Sequence, residues 1–285
     1  MKKIILVTII LLQPLLLCEC ASPAKKDEGK HTALDLVAEY NLLPNGDLDT
    51  DYSVEKENVI QVTSAYRMFG LSIDSETGAL SGANSRTIGG QEYYLPDTLQ
   101  LRAIFSDQLF SVDHGFTKLN AEESVAMGED NFVIALSDFR EDDCKVFAIR
   151  FKGTVFESAW LYEFIDNPDS RGRILRIRAF ALGKNEGDIN ALIANDFDRE
   201  GVDERLFPLA GYIFGTRCFD VGERGYYLTT SLSDIDADDV YYMTYETHSS
   251  ICNSEYTDGS ISPAVADSSQ YISVRPFIKK ELKYW

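Results

Sequence analysis

The chain has few of the residues that usually carry chemistry. Its 285 residues include three histidines (His31, His114, His248), two tryptophans and five cysteines, and no C-x-x-C pair occurs. Without paired or clustered soft ligands, the spacing of a structural zinc site is absent. No G-x-S-x-G or H-E-x-x-H string is present either, so the sequence advertises no nucleophile elbow and no zincin helix. Basic residues are scarce: 27 Lys and Arg stand against 46 Asp and Glu. Such a field repels phosphate backbones and anionic lipid headgroups, which excludes nucleic acid and charged bilayers as partners. Beyond residue 17 no apolar run is long enough to span a membrane, and no internal repeat appears.

What the chain does have begins at its start. Lys2 and Lys3 precede Ile4–Leu17, an apolar run interrupted by Thr8 and Gln13-Pro14, and polar residues follow from Glu19. That is the pattern of a secretory signal peptide, 1–17, whose apolar region is too short to persist as a spanning helix. Leu15-Leu16-Leu17-Cys18 resembles a relaxed bacterial lipoprotein box, with Cys18 as the lipidated residue and Cys20 as the second candidate. The alternative is ordinary cleavage between Ser22 and Ala24 and release into the periplasm or medium. Residues 18–31 then form the attachment site and a small, charged, flexible tether. Removal of 1–17 takes away two lysines and no acid, leaving 25 basic against 46 acidic residues, a balance of −21.

A hydrophobic fraction of 45% and an aromatic fraction of 12% supply a true core. Val59–Phe69 is rich in strand-type residues, and Ser72–Gly90 reads as a loop. Leu99, Leu101, Ile104, Phe105 and Leu109 share one helical face over 98–109, opened by Pro96 or Asp97. Between Val112 and Arg178 the period falls to two. Asn131–Ser137, Lys145–Lys152, Ser158–Ile165 and Arg173–Leu182 read as antiparallel strands, and Gly187–Asn195 as a short helix. Leu206–Ser233 and Ser269–Phe277 set aromatic and β-branched residues between glycines, as short core strands joined by turns do. Phe207, Leu209, Tyr212, Phe214, Tyr226, Leu228, Tyr241, Met243, Ile272, Val274 and Phe277 are its inward candidates, with Arg275 paired to a carboxylate. The expectation is one α+β domain over 93–285, with 32–92 packed on it as an N-terminal extension.

Three acidic segments invite a calcium reading and each has a defect. Asp47, Asp49 and Asp51 alternate correctly, but Tyr52 and Asn58 replace the glycine and the bidentate acid of a calcium loop. Asp196, Asp198 and Glu200 are followed by Phe207 where the closing carboxylate belongs. Asp234, Asp236, Asp238 and Asp239 crowd one turn, which is either solvated or held by a cation such as calcium; this is the candidate metal site, and no other cofactor is expected. Cys218 and Cys252 lie in adjoining strand-like segments and are the disulfide candidates. The alternative is three buried free thiols, Cys144 included.

Several stretches in order resemble one family. LVAEYN (Leu36–Asn41), YYLPDTLQLRAIF (Tyr93–Phe105), FAIRFKG (Phe147–Gly153), SAWLYEF (Ser158–Phe164), LFPLAGYIFG (Leu206–Gly215), RGYYLTTS (Arg224–Ser231), DDVYYMTY (Asp238–Tyr245) and SVRPF (Ser273–Phe277) are similar to the Fibrobacter succinogenes major paralogous (FISUMP) domain, found in surface lipoproteins and fimbria-associated proteins of Bacteroidetes-type bacteria. Leu228 departs from the pattern, where members commonly carry Trp. The resemblance implies a C-type-lectin-like fold with mixed, mainly antiparallel sheets, two flanking helices and long loops. It also implies a non-catalytic outer-membrane or cell-surface module for adhesion, binding a glycan, a peptide or a partner subunit, including fimbrial subunits, through the loops 72–90, 166–172 and 233–239. Its alternatives are a calcium-dependent lectin, although neither Glu-Pro-Asn nor Trp-Asn-Asp occurs, and a formylglycine-generating enzyme, although the surroundings of Cys218 and Cys252 do not match. The signal-end reading has a direct check: cells fed a labelled fatty acid incorporate it into the full chain, Cys18→Ser abolishes the label and Cys20→Ser keeps it. Label lost with Cys20→Ser alone would move the anchor.

Overall fold

The computed structural model describes residues 32–55, 58–74, 79–106, 108–109, 117–129, 131–143, 145–169, 172–182, 187–232, 240–246, 261–264 and 270–280. After a 3₁₀ turn at Ala33–Leu36 come β1 (Ile60–Gln61), α1 (Val62–Met68), β2 (Leu71–Ile73), β3 (Leu80–Gly82), β4 (Arg86–Ile88), β5 (Gln91–Tyr94) and α2 (Thr98–Arg102). Five long strands follow: β6 (Thr117–Met127), β7 (Asn131–Asp142), β8 (Lys145–Lys152), β9 (Ser158–Asp166) and β10 (Arg173–Ala181). The chain then runs through β11 (Asp203–Pro208), β12 (Tyr212–Phe214), β13 (Arg217–Phe219), β14 (Arg224–Leu232), β15 (Val240–Glu246), β16 (Ile261–Ala264), β17 (Gln270–Ile272) and β18 (Phe277–Ile278).

The architecture corrects the expected fold class. About half of the described residues, 49%, are strand and 12% are helix, so this is a mostly β protein and not an α+β fold with two flanking helices. The expected helix over 98–109 stops after five residues. Asp97 caps its start by accepting from the Gln100 amide at 2.8 Å, while Gln100 Oε1 accepts from the Asp97 amide at 2.7 Å. Its end is fixed by a buried arginine described below. The opposite error occurs at Val59–Phe69, where strand-type residues fold mainly as α1. Val62, Ala65, Tyr66 and Phe69 recur at helical spacing and are all buried, so tertiary burial overrides the β-branched composition. Gly187–Asn195 forms turns leading into a 3₁₀ segment at Ala194–Asp198 instead of a helix.

The frame is a six-stranded antiparallel sheet in the order β11-β10-β9-β8-β7-β6. Alternation sends Trp160, Tyr162, Leu175, Ile177, Val146, Ala148, Val133 and Phe139 to its inner face, where Phe105, Phe207 and Tyr227 pack on them. The outer face of β8–β10 carries Phe147, Ile149, Ala159, Leu161 and Phe180, covered by Ile189, Leu192 and Phe197. Each fully buried side chain of this kind contributes on the order of 1.5–3 kcal/mol.

A second core joins the two ends of the chain. β1 pairs with β17, β18 with β5, and Val37 bridges Phe277, so the N-terminal segment shares sheets with the C-terminal strands. Arg275 clamps this junction. It is 1% exposed, and it donates to Asn41 Oδ1 at 2.7 Å, to Leu206 O at 2.7 Å, to Ala38 O at 3.1 Å and to Glu39 O, while lying 4.8 Å over the Phe207 ring. These bonds run to amide and carbonyl oxygens. Of the expected core, Phe207, Leu209, Tyr226, Leu228, Ile272, Val274 and Phe277 are buried; Tyr212 is half-buried and Phe214, at a hairpin tip, is exposed. The side chains of Tyr241 and Met243 lie outside the described residues. Replacing Arg275 with Met leaves several buried acceptors unpaired and lowers stability by on the order of 3 kcal/mol. Urea unfolding followed by circular dichroism measures it, and a loss below half that value would deny the clamp its role.

Candidate functional site

The most unusual local arrangement lies where β6, β8 and α2 meet. Alternation along β8 places Arg150 on the inner face of the sheet, fully buried, and a charge there must be paired. Glu123, directed inward from β6, supplies the counter-charge: Arg150 Nη2 reaches Glu123 Oε1 at 2.7 Å and Nε reaches Oε2 at 3.1 Å. Ser137 Oγ also donates to Glu123 Oε2. The remaining guanidinium hydrogens cap α2, going to Arg102 O at 2.8 Å, Ala103 O at 2.7 Å and Ile104 O at 3.1 Å, with Tyr162 Oη at 3.0 Å. The rings of Phe151 and Trp160 lie 4.5 and 5.0 Å from the guanidinium carbon.

Burial opposes the charge on Arg150, but Glu123 and Tyr162 together more than offset it and hold the pKa above its ordinary value. Burial likewise pushes the Tyr162 hydroxyl above the phenol range, so it stays neutral and donates to Ile104 O at 2.9 Å. Phe151 has φ of 58°, a left-handed conformation rare for a bulky residue, and its amide is satisfied by Ser137 Oγ at 3.0 Å. This geometry binds elements together; its donors and acceptors are directed at one another.

Two surfaces open from this anchor. Beside the outer edge of β6, Arg102, Ser106, Gln108 and Glu122–Val125 line a polar cleft of about 180 Å³, below the usual size of a small-molecule pocket. β6 is the terminal strand of its sheet among the described residues. A bulge between Lys118 and Ala121, closed by the Asn120 amide on Asp138 Oδ1 at 2.6 Å, blunts one half of that edge.

The second surface is the outer face of the β6–β7 end. The segment 187–199 covers this face only as far as Arg140, which donates to Leu192 O at 2.6 Å. Beyond it Phe132, Ile134 and Leu136 stand bare at 59%, 61% and 43% exposure. Ala126, Ser124 and Glu122 lie opposite them on β6, and Lys152 lies opposite Leu136 on β8. Lys152 holds Asp138 at 2.7 Å. The row is a contiguous apolar surface beside the covered outer face of β8–β10.

The residues singled out in the sequence fall elsewhere. Cys18, Cys20, Cys144, Cys252, Asp234, Asp236, Asp238 and Asp239 lie outside the described residues. Cys218 is an exposed free thiol on β13, and the strand carrying it is not core. Asp49 and Asp51 cap local turns, accepting from the Thr50 and Ser53 amides, and Asp49 also accepts from Asn58. Asp196 accepts from the Ile193 amide, and Asp198 pairs with Arg178. Among the described residues no group of three or more His, Cys, Asp or Glu is placed to hold a metal ion. In the loop 166–172, Asn167 and Asp169 tether Tyr52. The bare row was missed because Phe132–Leu136 is apolar on every residue, which reads as a strand buried on both faces.

A family model described as a domain of unknown function (DUF8237) matches residues 29–277. The chain belongs to that family. No curated protein and no solved structure matches it. The DUF8237 match spans both cores, including the N-terminal segments that share sheets with β17 and β18.

The anchor has a measurable weight. Glu123→Gln leaves the buried guanidinium without its counter-charge and lowers stability by about 3–5 kcal/mol in urea unfolding. The pair Glu123→Leu with Arg150→Met does not restore the wild-type value, because the carbonyls of Arg102, Ala103 and Ile104 lose their donor. Full recovery by the double variant would reduce Arg150 to a salt-bridge partner.

Proposed function

We propose that the protein is a non-catalytic binding module, exported and held at the cell surface by a lipid on Cys18, which docks a protein partner on the bare face of β7. The observation that carries this reading is the row Phe132, Ile134 and Leu136, exposed on a sheet whose outer face is covered over β8–β10. Exposed alone, such a row costs free energy; apposed to a partner, it recovers about 25 cal/mol for each Å² of apolar area removed from water. The surface offers aliphatic and aromatic carbon with charge only at its margin, which suits a protein face better than the hydroxyl-rich surface of a glycan. The signal peptide, the lipobox-like Leu15–Cys18 and the charged tether support display outside the cell. An adhesion or assembly subunit fits these features.

A photo-crosslinking residue at Ile134 of the full chain, in cells of its own source, tests the reading. A discrete adduct is expected, absent when the same residue sits at Asn190 on the covering segment and lost when Leu136 is changed to Asp. Equal labelling at both positions, or none at Ile134, would overturn the docking role.

A further inference from the structure

We infer that the partner on this face is a second copy of the same chain, packed sheet against sheet about a two-fold axis running along β7. The inference rests on the docking role proposed above and adds who the partner is. Its basis is the charge arrangement around the row. Leu136 is flanked at the same level by Glu122 on β6 and by Lys152 on β8, opposite charges on opposite sides of an apolar line. Glu122 is exposed, and Lys152 donates one of its ammonium hydrogens to Asp138 at 2.7 Å.

Rotation by half a turn about β7 lays the Glu122 end of β6 of one copy over the Lys152 end of β8 of the other. Phe132, Ile134 and Leu136 then meet their own counterparts. Glu122 of each copy faces the other's Lys152, so two identical ion pairs close the margins of one apolar seam. A surface that is complementary to itself under a two-fold rotation is the requirement for an isologous interface. Packed sheets lie about 10 Å apart, a distance that side chains from two such rows fill. The segment 187–199 reaches Arg140 on β7 and, through Gly187, Ile149 on β8, and leaves the row itself bare for that approach. The chain's overall negative charge repels a second copy at range, and physiological salt screens it beyond about 8 Å.

The test uses charge reversal in trans. Full-length chain in density-matched detergent is examined by sedimentation equilibrium, with thermal melts confirming that each variant folds. Wild type is expected to dimerise, and Ile134→Asp, a change at an exposed position, to be monomeric. Glu122→Lys and Lys152→Glu each place like charges opposite one another and raise the dimer dissociation constant at least about tenfold. Mixed together, these two single variants form a heterodimer in which both cross-pairs are complementary again, and affinity recovers. The mixture leaves the Lys152–Asp138 contact of each chain as it was in the separate variants, so recovery reports the interface alone. A monomeric wild type, a dimer indifferent to Ile134→Asp, or a mixture no tighter than its components would overturn the inference. In the crosslinking experiment an Ile134 adduct of twice the chain's mass agrees with it. An adduct of any other mass refutes the second copy while sparing the docking role.

Discussion

The guanidinium of Arg150 is the point through which three otherwise separate pieces of the chain are fixed. It sits in the β8 strand, neutralises a carboxylate from β6, and takes the last carbonyls of α2. The inward charge of Glu123 on a terminal strand would be costly without it, and β6 could not lie flat against β7 with an unpaired carboxylate in the core. The same contacts explain why α2 is short: the carbonyls that would have accepted the next helical amides are turned to Arg150. Sheet edge and helix end are thus one constraint.

Arg275 repeats the device at the other core. There the guanidinium gathers carbonyl and amide oxygens from the first described segment and from β11, over the face of Phe207. A planar fork of five donors can satisfy several acceptors in one plane, a geometry that the three-donor ammonium of a lysine does not reproduce. Both arginines stand where irregular chain meets a sheet, the places where backbone groups lack ladder partners.

How far the sequence spoke depends on what kind of pattern carried each element. β8, β9 and β10 were legible because their apolar runs end at clusters of Asp, Gly, Pro and Asn, and the structure keeps those boundaries nearly unchanged. The buried aromatic stretch around Phe207 and Tyr226 was legible for the same reason. α1 was not, since Val62 and Thr63 suggest strand while burial of Ala65, Tyr66 and Phe69 rewards helix. α2 was overestimated because its ending is decided by Arg150, 48 residues from Arg102 in sequence. The bare row was hidden by its own composition: a run apolar at every position does not say which of its faces is left uncovered. Only the reach of the segment 187–199 decides that.

That segment gives one short stretch of chain control over the character of a whole face. Its apolar contacts run from Ile189 through Leu192 to Phe197, and it meets β7 at the Arg140 side chain. Chain length at this one place therefore sets how much of the outer face meets water, and it is adjustable by insertion or deletion without touching any strand of the frame.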